Sequence, residues 1–192
     1  MIARLVLASR SPRRRELLLA AGLDNVTVVP SAAAESGDPS SGLASLVLHN
    51  ARMKAAAVAA RHPESVVLGA DTLVWLDGDV LGKPQNPAEA ARMLSRLSGR
   101  AHEVCTGVSL LRLSPHKQVE FHETTRVRFR KLSPGTIADY LAKVDVLDKA
   151  GSYALQEHGE MLVEAVEGSR SNVVGLPVER TLAALRRFAG ED

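Results

Sequence analysis

The chain has 192 residues, 45% hydrophobic and 24% charged, with a formal net charge of +2, the balance of an ordinary globular protein with room for one sizeable core. So small a charge does not imply a strong nonspecific nucleic-acid binder, a class that usually shows a wide basic face, and one cysteine excludes an internal disulfide framework and fits a reducing compartment. No apolar run approaches the roughly 18 residues that span a bilayer, and Met1-Ile2-Ala3-Arg4 reads as leading into a strand, not as a signal peptide, so no membrane partner and a cytoplasmic location are expected.

Leu5-Val6-Leu7-Ala8 reads as a buried strand. Ser11 is placed to cap a helix, Pro12 suits its first position, and Gly22 can end it. Arg13, Arg14 and Arg15 then stand at the positive end of the helix dipole, each costing a few tenths of a kcal/mol. An anion held by helix amides and guanidinium forks would offset that cost. An Arg triplet alone reads as a solvated patch; the strand-end serines and the capped helix favour a phosphate site.

Residues 25–30, rich in Val and Thr, form a second expected strand. Residues 31–42 are small and polar, a loop carrying Glu35. A helix is expected over 43–61, with Val47, Asn50, Ala51, Lys54 and Val58 on one side. A lysine on such a stripe ordinarily snorkels to the rim; the alternative is an ammonium reaching an internal anion. Residues 65–70 read as a fully buried strand ending at Asp71. A carboxylate at such a strand end, followed by Thr72, suits metal or proton chemistry, and equally a turn.

Asp77-Gly78 between two apolar runs predicts a hairpin, followed by Lys83 in a turn. Asn86-Pro87 opens a third helix that Gly99 closes, and long strands are expected over 103–113 and 119–130, with Cys105 a packed core thiol. Ser133-Pro134 opens a fourth helix reaching about Lys143, residues 161–166 form a strand, and residues 177–188 a last helix. Gln156 has an amide able to donate and accept against a base edge, or is an ordinary surface residue. Interleaved strands and helices with at least two hairpins predict an α/β protein with a mixed sheet and flanking helices, in one domain over 1–192. The chain has no phosphate-loop, dinucleotide or nucleophile-elbow motif, and its histidines lack zinc-ligand spacing.

Six segments in order are similar to the Maf family of nucleoside triphosphate pyrophosphatases: residues 9–18, Gly69-Ala70-Asp71-Thr72, Gly82-Lys83-Pro84, residues 102–107, residues 148–156 and residues 172–177. The resemblance implies an elongated two-lobed Maf/ITPase-like fold with a central cleft, and hydrolysis of a nucleoside triphosphate with Mg²⁺ or Mn²⁺. Asp71 resembles the family's proton acceptor. Ser9, Arg13, Arg14, Glu35, Lys54 and Lys83 resemble its phosphate-site and metal-site residues, with Glu35 and Asp71 on the metal. Arg13, Thr72 and Gln156 resemble positions linked to base preference. The Tyr153-to-Gln156 ending is similar to the branch acting on dTTP and UTP, although Asp145-Val146 stands where that branch has Glu-Pro and Glu157 where it has Gly.

The expected reaction is attack of water on the α-phosphorus, with four side-chain cations balancing the phosphate charge. The alternatives are the same reaction on 7-methyl-GTP, and a non-catalytic nucleotide-binding regulator of cell division or septum formation. No stable nucleic-acid partner is expected, since no aromatic residues interleave the arginines; a homodimer is left open.

Overall fold

The computed structural model describes residues 4–35 and 38–190. In chain order the elements are β1 (Leu5–Leu7), α1 (Pro12–Ala20), β2 (Val26–Val28), α2 (Leu43–Ala59), β3 (Val66–Leu76), β4 (Asp79–Leu81) and α3 (Pro87–Leu97). They continue with β5 (Ala101–Leu113), β6 (His116–Phe129), α4 (Pro134–Lys143), β7 (Val163–Glu167), α5 (Arg170–Val174) and α6 (Val178–Ala189). The strands form one mixed sheet in the order β2-β1-β3-β5-β6-β7, with β4 added against β3. β1 pairs in parallel with β2 and β3, whereas β3–β4 and β6–β7 are antiparallel.

The chain divides into two compact units, through both of which β3, β5 and β6 run. The first holds the described residues within 4–72, 106–123 and 175–190. Here the apolar strands are continuous because both faces are covered. Leu5, Leu7, Val66, Leu68 and Ala70 join Leu18, Leu176, Leu185 and Phe188 in one core. Val6, Ala8 and Val67, one residue out of step, face Ala55, Val58 and Ala59 of α2 in another, as the two-residue strand period requires. The second unit holds residues 73–105 and 124–174, and its core includes Leu94 and Leu97 of α3, Ile137 and Tyr140 of α4, Phe129, Tyr153 and Leu162.

The helix starts follow the expected caps in two cases. Asn86 accepts from the Glu89 amide at 2.9 Å and Ser133 from the Thr136 amide at 3.0 Å. Ser11 occupies the cap position of α1 but makes no side-chain cap bond; the Ser9 hydroxyl accepts the Ser11 N–H instead, at 3.1 Å. The strand expected over 65–70 and the apolar run before Asp77 are one strand, β3, which passes through Asp71 without ending there. The short helix α5 and the 3-10 turns Ala150–Ser152 and Gly159–Met161 were not anticipated. Cys105 is buried. No described helix is long and apolar enough to cross a membrane.

Candidate active site

Two glycines let α2 lie directly on the sheet. A Cβ at Gly69 would fall 2.2 Å from the Ala51 carbonyl oxygen and 2.7 Å from the Ala55 nitrogen, and one at Gly107 would fall 2.5 Å from the Val47 carbonyl. Only glycine admits so close a backbone approach. The helix thereby brings Asn50 and Lys54 over Asp71. Asn50 Nδ2 donates to Asp71 Oδ2 at 2.9 Å, and Lys54 Nζ donates to Asp71 Oδ1 at 2.7 Å. Lys54 Nζ also stands 2.7 Å from Glu35 Oε1 and 3.5 Å from the Ala70 carbonyl.

Lys54 therefore turns inward, not along the snorkelling path ordinary for its stripe. Its side chain is 10% exposed and that of Asp71 5%, against 49% for Glu35. An ion pair this buried costs desolvation at both ends and persists where hydrogen bonds complete it. Asn50 supplies one to the carboxylate, which satisfies a charged residue inside β3 and lets the strand continue.

Arg14 is the buried member of the arginine triplet, while Arg10 and Arg15 are exposed and Arg13 is half-buried. Its Nε donates to the Gly175 carbonyl at 2.8 Å, Nη1 to Ser9 Oγ at 3.1 Å and Nη2 to Thr72 Oγ1 at 3.0 Å. Thr72 Oγ1 also lies 2.8 Å from Thr106 Oγ1. Burial pulls the Arg14 guanidinium below its ordinary range, and the carboxylates of Asp71 and then Glu35 pull it back up. Protein carboxylates thus supply part of the negative charge that the basic helix start calls for.

The first unit in this way brings together Ser9, Arg14 and Thr72 in one hydrogen-bonded group and Glu35, Lys54 and Asp71 in another. Lys83 and Gln156 belong to the second unit and are exposed. Their segments are tied there by the Gly151 N–H, which donates to the Gly82 carbonyl at 3.0 Å. Tyr153, three residues before Gln156, meets His102 Nε2 through its hydroxyl at 2.8 Å.

Asn50, Thr106 and the two sheet glycines are parts of this arrangement that motif reading did not single out as functional. Asn50 shares the stripe of Lys54, four residues away, and Gly69 lies two residues before Asp71, whereas Gly107 is marked only by lying inside one of the quoted segments. Among the described residues no group of three or more His, Cys, Asp or Glu side chains is placed to hold a metal ion. Glu35 and Asp71, both already bracketing one cation, are hard oxygen donors. Two carboxylates that share a cation with substrate phosphates are a donor set suited to Mg²⁺ or Mn²⁺, so the residues fit.

A Maf-like protein family model matches residues 4–188. A dTTP/UTP pyrophosphatase of Akkermansia muciniphila is 48% identical over 185 residues, 96% of either chain. Those of Moorella thermoacetica and Symbiobacterium thermophilum are 49% and 46% identical, covering 95% and 96% of this chain and 95% and 93% of their own. With the mixed sheet and the six segments in order along the sequence, the chain belongs to the Maf family.

Proposed function

We propose that the protein is a nucleoside triphosphate pyrophosphatase that hydrolyses dTTP and UTP to the monophosphate and pyrophosphate. The Glu35–Lys54–Asp71 group carries this reading: a buried carboxylate held at both oxygens, an ammonium on it, and a second, half-exposed carboxylate. The names of relatives at this level of identity support the pyrimidine substrates.

Phosphoryl chemistry of this kind depends chiefly on positioning and on balancing charge. Asp71 takes the proton of the water that attacks the α-phosphorus. The new O–P bond forms as the bond from the α-phosphorus to the bridging oxygen breaks, and pyrophosphate leaves with the electron pair. Asn50 and Lys54 orient the carboxylate so that its remaining lone pairs face the water. Lys54, Arg13 and Lys83 balance phosphate charge. Arg14 has one N–H on each terminal nitrogen outside the three bonds described, and these suit phosphate oxygens. Thr72, Arg13 and the Gln156 amide act on base choice. Glu35 and Asp71 are the residues that would hold Mg²⁺ or Mn²⁺, which when bound supplies further charge neutralisation and acidifies water.

A buried, unbridged cysteine fits the reducing cytoplasm as the place of action. The test is pyrophosphate release from dTTP, UTP, CTP and 7-methyl-GTP with Mg²⁺ or Mn²⁺. Release from dTTP and UTP, with equal monophosphate, is the expected result; none from any nucleotide would overturn the reading.

A further inference from the structure

The second unit carries a polar pair inside an apolar core, and the reaction as derived does not use it. His102 is 3% exposed, and its ring lies edge-on to Phe129 at 5.0 Å and to Tyr153 at 5.5 Å between centroids. Its Nε2 meets the Tyr153 hydroxyl at 2.8 Å, while its buried Nδ1 finds no hydrogen-bond partner among the described residues. A Leu–Phe pair would fill such a space without the penalty of an orphaned nitrogen. What the polar pair adds is direction: it holds the Tyr153 ring at one azimuth and height.

A second phenol acts on the next residue. The Ala154 N–H donates to Tyr140 Oη at 2.9 Å, and Leu155 packs on the same core. On the far side of Gln156, Lys149 Nζ lies 3.4 Å from Glu157 Oε1 and also holds Asp148 Oδ1 and the Asp145 carbonyl. Gln156 is thus the exposed residue between two anchored flanks.

We propose that the buried His102–Tyr153 pair is a positioning device for base selection, fixing where Gln156 presents its amide. The inference rests on the pyrophosphatase reading and on Gln156 acting on the base. Burial pushes the His102 imidazole down to about 4 and the Tyr153 phenol up, so both stay neutral across the working range and the bond does not switch with pH. An amide that reads a base edge needs placement to a fraction of an ångström, which a loosely held turn does not provide.

The test compares Tyr153→Phe, His102→Leu, His102→Gln and the Tyr153→Phe/His102→Leu double variant. Turnover of UTP and CTP is measured beside calorimetric binding of their α,β-imido analogues. Tyr153→Phe and His102→Leu should each lower the UTP-over-CTP preference by roughly three- to tenfold through KM, with kcat on UTP held within about twofold. The double variant should be no worse than the worse single, because the two act through one bond. His102→Gln, whose amide can stand where Nε2 stands, should keep the preference. An unchanged preference in Tyr153→Phe, or an equal fall in kcat for both nucleotides, would overturn the proposal. A wild-type protein inert on every nucleotide overturns the reaction instead, and the analogue-binding ratios still decide the positioning role.

Discussion

Replacing Gly69 by alanine adds one methyl group at a point where the three nearest atoms, two of backbone and the Ala55 Cβ, include no flexible side chain that could move aside. The obstacles are backbone atoms of α2, the Ala51 oxygen at 2.2 Å and the Ala55 nitrogen at 2.7 Å. Restoring ordinary contact requires α2 to rise by about 1 Å or more. The same helix carries Asn50 and Lys54, so their bonds to Asp71, now 2.9 and 2.7 Å, would open beyond hydrogen-bonding range unless the side chains followed. Overpacking of this kind costs about 1–3 kcal/mol, which for a chain of this length lowers Tm by roughly 2–12 °C. A misplacement of about 1 Å at a reacting group costs on the order of 100-fold in rate. The assay is pyrophosphate release at a temperature well below the variant's Tm, with Gly135→Ala as control. There the added Cβ meets only Ser133 Oγ, at 3.6 Å, so folding and turnover should be kept. Wild-type kcat in Gly69→Ala would refute the claim that close helix–sheet contact positions the Asp71 environment.

Asp71→Asn should lower kcat by about 10²–10⁴-fold while leaving KM within a few-fold, checked by steady-state kinetics on dTTP. Lys54→Ala should raise KM as well as slow turnover; an unchanged KM would remove Lys54 from the phosphate site. Arg14→Lys cannot reproduce a fork spanning Gly175, Ser9 and Thr72, and should lower the denaturant midpoint by the loss of buried hydrogen bonds, about 1–3 kcal/mol. His102 is neutral when folded, with its pKa held near 4 against 6.5 unfolded. The unfolded chain therefore binds the extra proton, and this residue's contribution, of order 3 kcal/mol, is complete above pH 6.5 and lost as pH falls toward 4. Urea titrations at pH 4.5 and 7 should show a smaller pH difference for His102→Gln than for wild type.

What was legible in the sequence is what depends on neighbours along the chain. Asn86-Pro87 and Ser133-Pro134 mark their helices because cap and first turn lie within four residues of each other. Asp77-Gly78 marks the β3–β4 hairpin for the same reason. Asp71-Thr72 read as a strand end because a carboxylate in a buried strand is costly by itself. That cost is met by Asn50 and Lys54, some 20 residues away, which local patterning does not register. Ser11 had the right residue type and backbone for a cap, yet the hydroxyl that serves the start of α1 is that of Ser9. α5, five residues long, is too short for any periodicity to mark. In the candidate site, charged residues in motifs stood out, whereas Gly69 and Gly107 act through the absence of atoms, visible only once α2 is laid on the sheet.

The two carboxylates on Lys54 are unequal in a way that ionic strength can separate. The contact with Asp71 is walled off from water, so mobile ions barely reach it, while Glu35 has half its side chain in solvent. Dissolved salt weakens exposed ion pairs far more than enclosed ones. Rising salt therefore releases Glu35 first and leaves the ammonium docked on Asp71. The pair divides into a permanent seat and a detachable arm, and the arm belongs to the polar loop before α2.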